Sequence, residues 1–359
     1  MDVMKPDLYW IDRRCYRVPY LDQAIDKDVN EENDESFMAD DLEYGDGCDN
    51  SEPAELYELE TTEAGRVRTT FHVASTFFPF IVGAKGTTRR RLENETKTQI
   101  RIPRQNQKGS IVITGESANG VRAARRRINL IVSGARLKQS FTHFFTIPMT
   151  SPNIREGFLK FKEIVLDCHN ARGIEPSIFQ NPDKLHLTLA TMVLSDEVER
   201  NHAAQVLQKC NEEVVRPIVG YDPLKLRMRG VEYMNDDPAE VDVLFGKVEV
   251  VDGSPILQSL ADGIVDYFSS AGLLQKQYSQ VKLHVTLMNT LFRHSSEDTP
   301  ECEVPKNKLK SRETFNATEI LKAFEDFEFG VQVVNTIHLS QRYTTSSSGY
   351  YKSTAVIEF

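Results

Sequence analysis

Two histidine–threonine pairs recur in almost identical hexapeptides. Residues 184–189 read KLHLTL and residues 282–287 read KLHVTL, so five of the six positions are the same. Polar and apolar side chains alternate in both, which is the period of a half-buried strand. Because residues i and i+2 of a strand project from one face, His186 and Thr188 should point the same way, as should His284 and Thr286. Their leucine and valine neighbours should point into a core.

This pattern predicts acid–base chemistry on a phosphate. A histidine fixed on a strand can accept or give a proton near neutral pH, and a hydroxyl beside it can bond an oxyanion. Two such pairs facing each other supply a general base and a general acid across one phosphodiester, an arrangement that needs no metal. We therefore predict His186, Thr188, His284 and Thr286 as catalytic residues, with no cofactor.

A third sequence fits the pattern less completely. Residues 337–340 read IHLS, but no strand-helix unit precedes them and the flanking Lys-Leu is missing. A lone match of this kind is more often a structural histidine. We predict that His338 lies on a neighbouring strand and lines the same cleft with Gln341. The other histidines with no hydroxyl two residues on are taken as structural or surface residues, namely His72, His143, His169 and His202.

Length and composition exclude several classes. The chain has 359 residues, enough for two or three domains, and 40% apolar with 27% charged residues is typical of a globular protein. No apolar run approaches the eighteen or so residues of a membrane span, and we expect neither a secretory signal nor a membrane partner. The five cysteines are scattered, with no Cys-x-x-Cys or zinc spacing. This usage favours a reducing compartment and no metal site.

Charge divides the chain into segments. Residues 1–21 are aromatic and basic, and we predict either a docking peptide or a strand that packs on the chain's own domains. Residues 22–65 carry a strongly acidic tract, with 17 acidic residues and one lysine in 22–63. We predict a disordered linker. Its role is either to aid solubility or to compete with RNA for the basic segment that follows. Residues 66–138 hold 16 basic and three acidic residues, and such an asymmetry suggests a nucleic-acid partner. Residues 139–359 form the fourth segment.

The basic segment predicts the element order βααββα. Strands are expected at 68–75, 100–103 and 110–114, and helices at 77–82, 87–98 and 117–133. A Gly-x-x-Gly turn joins the first two helices. This segment resembles a type I KH domain, whose glycines let a sugar-phosphate backbone approach and whose next helix offers free N–H groups. The resemblance implies binding of single-stranded RNA, or alternatively single-stranded DNA. The predicted RNA-binding residues are Gly83, Ala84, Lys85, Gly86, Thr87 and Arg90.

The rest of the chain reads as α+β in two similar halves. Each half has a strand, a helix and then a hexapeptide: 141–149 and 154–168 precede the first, and 241–251 and 254–270 precede the second. The duplication resembles the two-histidine phosphoesterase superfamily, whose two lobes each contribute one such strand to a central groove. The predicted architecture is thus a KH domain followed by a bilobal two-histidine phosphoesterase fold with pseudo-twofold antiparallel sheets.

Short stretches around the motifs narrow the resemblance. FTHF at 141–144, SIFQNP at 177–182, EYMNDD at 232–237 and MNTLFR at 288–293 are similar to the activating signal cointegrator 1 complex subunit 1 family. The resemblance implies a nuclear protein, with an additional cytoplasmic location as the alternative. It further implies a helicase subunit as partner, and roles in transcription coactivation and the response to alkylated nucleic acid.

The reaction itself stays open at this point. RNA trimming, opening of a 2′,3′-cyclic phosphate and cleavage of a 2′,5′ linkage all suit the quartet, and either histidine can be the base. The rival hypothesis from another class is a non-catalytic RNA-binding scaffold whose lobes only hold a phosphate.

Overall fold

The structure is a computed structural model. It describes residues 8–11 and 14–17 by their backbone, and then 57–104, 109–168, 171–220, 222–234, 236–274, 276, 279–294 and 313–359. The predicted linker at 22–65 thus lies almost wholly outside the described residues. The predicted docking segment is described only as a two-stranded antiparallel hairpin, β1 (Leu8–Ile11) and β2 (Arg14–Arg17).

The chain divides into two compact units. The first contains residues 1–140 with 195–199, and the second contains 141–194 with 200–359. After the hairpin, the first unit is built from β3 (Glu60–Thr61), β4 (Val67–Phe71), α1 (Phe78–Val82), α2 (Thr87–Thr96), β5 (Thr98–Arg101), β6 (Ile111–Gly115) and α3 (Ala118–Leu137).

From β4 onward the first unit has the predicted order of strands and helices, whereas β3 is an additional strand at the end of the segment predicted to be a disordered linker. Its sheet is antiparallel with the order β3-β4-β6-β5, and the helices bury their apolar residues against it. The Ser117 hydroxyl caps α3 by accepting from the Gly120 N–H. Several predicted bounds were wrong: β4 ends at Phe71, α2 ends at Thr96 because Lys97 adopts a left-handed conformation, β5 is Thr98–Arg101, and α3 continues to Leu137.

The second unit alternates strands and helices around one sheet. Its elements are β7 (His143–Pro148), α4 (Pro152–Cys168), β8 (His186–Met192), α5 (Glu197–Cys210), α6 (Arg216–Val219), β9 (Leu224–Tyr233), β10 (Val243–Val250), α7 (Ile256–Ser270), β11 (Val285–Asn289), α8 (Thr318–Ala323), β12 (Glu328–Val334), β13 (Thr336–Gln341) and β14 (Ser353–Glu358). A π-helical turn over Asn211–Val215 joins α5 to α6, so the predicted single helix at 196–214 is interrupted.

The eight strands are arranged with pseudo-twofold symmetry. Their order is β12-β9-β10-β11-β8-β7-β13-β14, and every neighbouring pair is antiparallel. The unit β7-α4-β8 thus corresponds to β10-α7-β11, which confirms the predicted duplication. β8 and β11, the strands of the two hexapeptides, meet at the centre.

One face of the sheet is the core. Leu187 and Leu287 are fully buried there with Phe158 and Phe161 of α4 and Phe268 of α7. Phe145 packs edge-on against Phe268. The residues that alternate with these core positions must project from the opposite face, where no α4 or α7 side chain competes for space.

Candidate active site and nucleic-acid interface

Strand register brings the two His-Thr pairs together. Leu187 pairs directly with Val285, and both side chains are fully buried. Directly opposed residues of an antiparallel pair share a face, so their neighbours share the other one. The same register therefore sets His186 opposite Thr286, and Thr188 opposite His284. The four residues form one cluster on the face away from the core.

The hexapeptides are not strands along their whole length. β8 begins at His186 and β11 begins at Val285, so the two lysines and the leucines after them precede the regular ladder. Lys184 ends a short 3-10 turn that follows Pro182. Each histidine thus lies where a strand begins. The carbonyl of the lysine two residues before it can accept a hydrogen bond from the imidazole ring.

Those carbonyls fix the histidine tautomers in the same way in both lobes. Nδ1 of His186 lies 2.7 Å from the Lys184 carbonyl oxygen, and Nδ1 of His284 lies 2.7 Å from that of Lys282. A carbonyl can only accept, so Nδ1 carries the proton and donates it. The neutral imidazoles therefore keep a lone pair on Nε2. When protonated, each ring would have an Nε2–H to give.

The surroundings of the two imidazoles differ. His186 contacts the rings of Phe144 and Tyr351, with centroids 5.3 and 5.4 Å away, whereas Phe245 lies 5.6 Å from His284. Burial lowers the pKa of His186 to about 4, and the positive charge of a protonated His284 lowers it further, against the opposing effect of the Lys184 carbonyl. The pKa of His284 is also lowered, mainly by burial and then by the Lys282 ammonium.

A buried hydroxyl network supports the first lobe of the site. Thr146 of β7 pairs with Thr188, and its side chain is fully buried. The Tyr350 hydroxyl donates to Thr146 Oγ1 at 2.9 Å, and Thr146 Oγ1 lies 2.9 Å from Ser340 Oγ. Sequence reasoning missed Tyr350, Tyr351 and Thr146, because no local spacing links them to the motifs.

The two predicted groove-lining residues lie on different faces. His338 pairs with Thr146, so it shares the face of Thr188, two strands away from β8. β13 adjoins β7 and not the motif strand itself, and a role of His338 in lining the groove stays a prediction. Gln341 is three residues further on and so projects from the opposite face, where its amide donates to Thr354 Oγ1. The structure does not bring Gln341 to the quartet.

His72, His143 and His202 take no part in the cluster. His143 is buried with Nδ1 2.8 Å from Thr142 Oγ1, and burial lowers its pKa to about 4. His72 lies 2.8 Å from an Asp196 carboxylate oxygen, and His202 is exposed on α5. His169 lies outside the described residues. In the described part of the chain no three His, Cys, Asp or Glu side chains are grouped so as to hold a metal ion.

The Gly-x-x-Gly turn is held in a left-handed backbone. Gly83, Lys85 and Gly86 all have positive φ values of 69, 52 and 79°. The two glycines have different roles. A Cβ on Gly83 would lie 2.2 Å from Thr88 Oγ1, so that glycine is required by the fold, whereas nothing lies within 4 Å of a Cβ on Gly86. The space beside Gly86 is open to a ligand.

The predicted binding residues surround that open space. Ala84, Lys85, Thr87 and Arg90 are exposed. Gly86 is the N-cap of α2, and no side chain caps it, although the Thr87 N–H donates to the Ala84 carbonyl. The positive end of the dipole of this ten-residue helix therefore attracts an anion at this turn.

The arginines of α3 fan out around the helix as expected. Arg125 stacks on Phe71 with its guanidinium 3.1 Å from the ring centroid, and Arg127 forms an ion pair with Glu95. These two side chains contact different partners of their own domain. They cannot converge on one ligand.

The class of protein follows from these features and from comparison with family models. Residues 68–130 match the KH domain model, and residues 141–359 match the model described as the AKAP7 2′5′ RNA ligase-like domain. The chain is therefore an RNA-binding, phosphoesterase-like protein, with a KH domain followed by a two-histidine phosphoesterase-like domain.

The full-length comparison is more specific. The chain is 43% identical, over the whole of both sequences, to mouse (Mus musculus) activating signal cointegrator 1 complex subunit 1. It belongs to the activating signal cointegrator 1 complex subunit 1 family.

Solved structures similar to parts of the chain include two of the corresponding types. The first KH type I domain of human vigilin is 28% identical with a TM-score of 0.21, covering 26% of this chain and 95% of its own. A phosphoesterase is 14% identical with a TM-score of 0.37, covering 61% and 99%. No helix of the described residues is long and apolar enough to cross a bilayer.

Proposed function

We propose that this protein is a phosphodiesterase that cleaves single-stranded RNA by proton transfer between two histidines. The observation that carries the proposal is the Leu187–Val285 pairing, because it gathers both His-Thr pairs on one face. A 2′,3′-cyclic phosphate or a short oligonucleotide has the same reacting group. Both are alternative substrates of the same site.

The environments of the histidines support different roles for them. The general base must be neutral before reaction, and the larger reduction in pKa is at His186. We assign His186 as the base that takes the proton of water or of a ribose 2′-hydroxyl through Nε2. His284, protonated on Nε2, donates to the leaving oxygen. The carbonyls of Lys184 and Lys282 keep both rings in the orientation this exchange requires.

The two threonines complete the reaction site. Thr188 lies opposite His284 and Thr286 opposite His186, so a phosphate between the rings has a hydroxyl donor on each side. Hydroxyl donation to the non-bridging oxygens stabilises charge that develops in the transition state. No step in this mechanism is routed through a metal ion.

The KH domain would capture the strand. The open approach at Gly86, the exposed Lys85 and the uncapped start of α2 suit a sugar-phosphate backbone, and single-stranded RNA is the ligand we propose, with single-stranded DNA as the alternative. From the name of the mouse relative we further propose that the chain is a subunit of an activating signal cointegrator complex. This proposal includes a nuclear location, with a cytoplasmic pool as the alternative. It also includes a helicase partner and roles in transcription coactivation and in the response to alkylated nucleic acid.

Cleavage and binding of a labelled RNA in EDTA test the function. Wild type should cleave the RNA, and His186→Ala or His284→Ala should each lose about 10² to 10⁴ in rate, the range for a general acid or base. His202→Ala is the matched control, since His202 is exposed on α5. All variants should bind the RNA equally.

Two results would contradict the proposal. Wild type that binds RNA without cutting it would favour the non-catalytic scaffold. Cleavage that EDTA abolishes and a divalent ion restores would overturn the proton-transfer mechanism.

A further inference from the structure

The lysine that begins each hexapeptide is held beside its histidine by a shared aromatic ring. Lys184 Nζ lies 5.1 Å from the centroid of the Tyr351 ring, the same ring that lies 5.4 Å from His186. Lys282 Nζ lies 4.9 Å from the Phe245 centroid, and Phe245 in turn lies 5.6 Å from His284. The arrangement is repeated in both lobes although the two rings come from unrelated positions in the sequence.

The two rings lie on opposite outer sides of the histidine pair. Phe245 belongs to β10, which flanks β11, whereas Tyr351 lies two residues before β14, which is on the far side of β7. Across the sheet the order is therefore Lys282 with Phe245, His284, His186, and Tyr351 with Lys184. A strand of nucleic acid that crosses the histidines meets one ammonium group on each side.

Both ammonium groups are free to meet an anion. Lys184 Nζ donates to the neutral Thr345 hydroxyl at 2.9 Å, and in the described part of the chain neither lysine forms an ion pair with a carboxylate. The Lys282 charge is close enough to lower the pKa of His284. Residues 139–359 hold 22 basic and 30 acidic residues, so the domain as a whole repels a polyanion. Two cations beside the histidines make the site a local exception.

We propose that Lys184 and Lys282 are phosphate subsites that flank the scissile linkage. The inference rests on the proposed phosphodiesterase function and narrows its substrate. Adjacent phosphates of a stacked strand advance by about 3.4 Å along the helix axis and lie further apart through space, and lysine is a flexible point charge on a four-carbon stem. We therefore expect each ammonium to contact the phosphate next to the scissile one. The preferred substrate is an internal phosphodiester with a phosphate on either side, and a lone cyclic phosphate fills only the centre.

Neutral phosphate replacements test this in a tetranucleotide. The molecule has three linkages, and uncharged methylphosphonates are placed at the 5′ outer, the 3′ outer or both outer positions. The value of kcat/KM for the central linkage is then measured. In wild type each outer replacement should lower it roughly tenfold, as for loss of one charge-assisted contact. In Lys184→Met, the methylphosphonate at one outer position should no longer lower kcat/KM. In Lys282→Met, the methylphosphonate at the other outer position should no longer lower it.

Controls separate charge from packing. Methionine keeps an aliphatic stem over the ring, and Lys184→Arg and Lys282→Arg should keep the wild-type sensitivity. Lys160→Met removes an exposed lysine of α4, which packs on the core face, and should behave as wild type. One outcome would contradict the subsites alone. If wild type cleaves the tetranucleotide, but each outer methylphosphonate lowers kcat/KM as much in both methionine variants as in wild type, the lysines do not bind the outer phosphates. The proposed phosphodiesterase function is then unaffected. If wild type cleaves neither this substrate nor longer RNA, the proposed function fails and takes the subsites with it.

Discussion

Leu187 and Val285 face each other across the central pair of antiparallel strands, and neither exposes any of its side chain. The pairing joins the two halves of the duplication at their midpoint. A slip of one residue would move either His-Thr pair to the core face, because side chains alternate along a strand. The buried pair thus stabilises the domain and sets the geometry of the candidate active site.

Truncating this pair should destabilise the second domain and the site together. Leu187→Ala removes buried methyl groups from a packed core, and we expect it to lower the free energy of unfolding by about 2 to 5 kcal/mol. The control is Val356→Ala on the edge strand β14, where Val356 is 41% exposed. Urea unfolding monitored by far-UV circular dichroism measures the free energy of unfolding of both variants. An unchanged midpoint in Leu187→Ala would mean that the pairing is not part of the stable core.

The pH dependence of cleavage should reflect the lowered histidine pKa values. The base His186 must be neutral, so kcat/KM falls as the pH drops through its pKa of about 4. The acid His284 must be protonated, and its pKa is below the ordinary 6.5, so kcat/KM also falls as the pH rises through that lowered value. We expect a bell-shaped profile with its alkaline limb below pH 6.5. An alkaline limb above pH 7 would contradict the assignment.

The Gly-x-x-Gly turn should separate binding from folding. Gly86→Asp places a carboxylate in open space at the phosphate approach, so it should weaken RNA binding while both domains stay folded. Gly86→Asn has nearly the same shape without the charge and should weaken binding less. Fluorescence anisotropy at two salt concentrations measures both, and the difference between the variants should shrink as salt rises. Unchanged affinity in Gly86→Asp would locate the RNA contacts elsewhere.

The adjacent glycine should give the opposite result. Gly83→Ala directs a methyl group onto Thr88, so the start of α2 must shift and the first domain should lose stability even without RNA. Thermal unfolding monitored by circular dichroism checks this. A Gly83→Ala domain as stable as wild type would show that the turn can relax freely.

Much of the fold could be predicted because local patterns and global pairing agree. The duplication of a strand, a helix and a hexapeptide predicted the symmetry of β7-α4-β8 and β10-α7-β11, and alternation predicted which faces Leu187 and His186 occupy. The strand ends were less predictable. KLH reads as strand in both copies, yet β11 starts only at Val285, because a neighbouring strand and not the local sequence decides where the ladder begins.

The surroundings of the histidines could not be predicted for a similar reason. Tyr351 lies 165 residues after His186 in a connection with no periodic pattern, and only the pairing of β13 with β7 and β14 brings it to the first lobe. Alternation along β13 sets His338 and Gln341 on opposite faces, which the IHLS match alone did not reveal. Differences in burial between His186 and His284 follow from such long-range contacts. The two nearly identical hexapeptides carry no information about these contacts.

A substrate with a sulfur leaving group tests the division of labour between the two histidines most directly. A thiolate leaves without being protonated, so the general acid is dispensable when sulfur replaces the leaving oxygen of the scissile phosphodiester. The measurement is the single-turnover cleavage rate of this RNA by wild type, His186→Ala and His284→Ala. We predict that His284→Ala cleaves it at close to the wild-type rate, whereas His186→Ala stays slower by about 10² to 10⁴. Equal defects of both variants on the sulfur substrate would contradict the account.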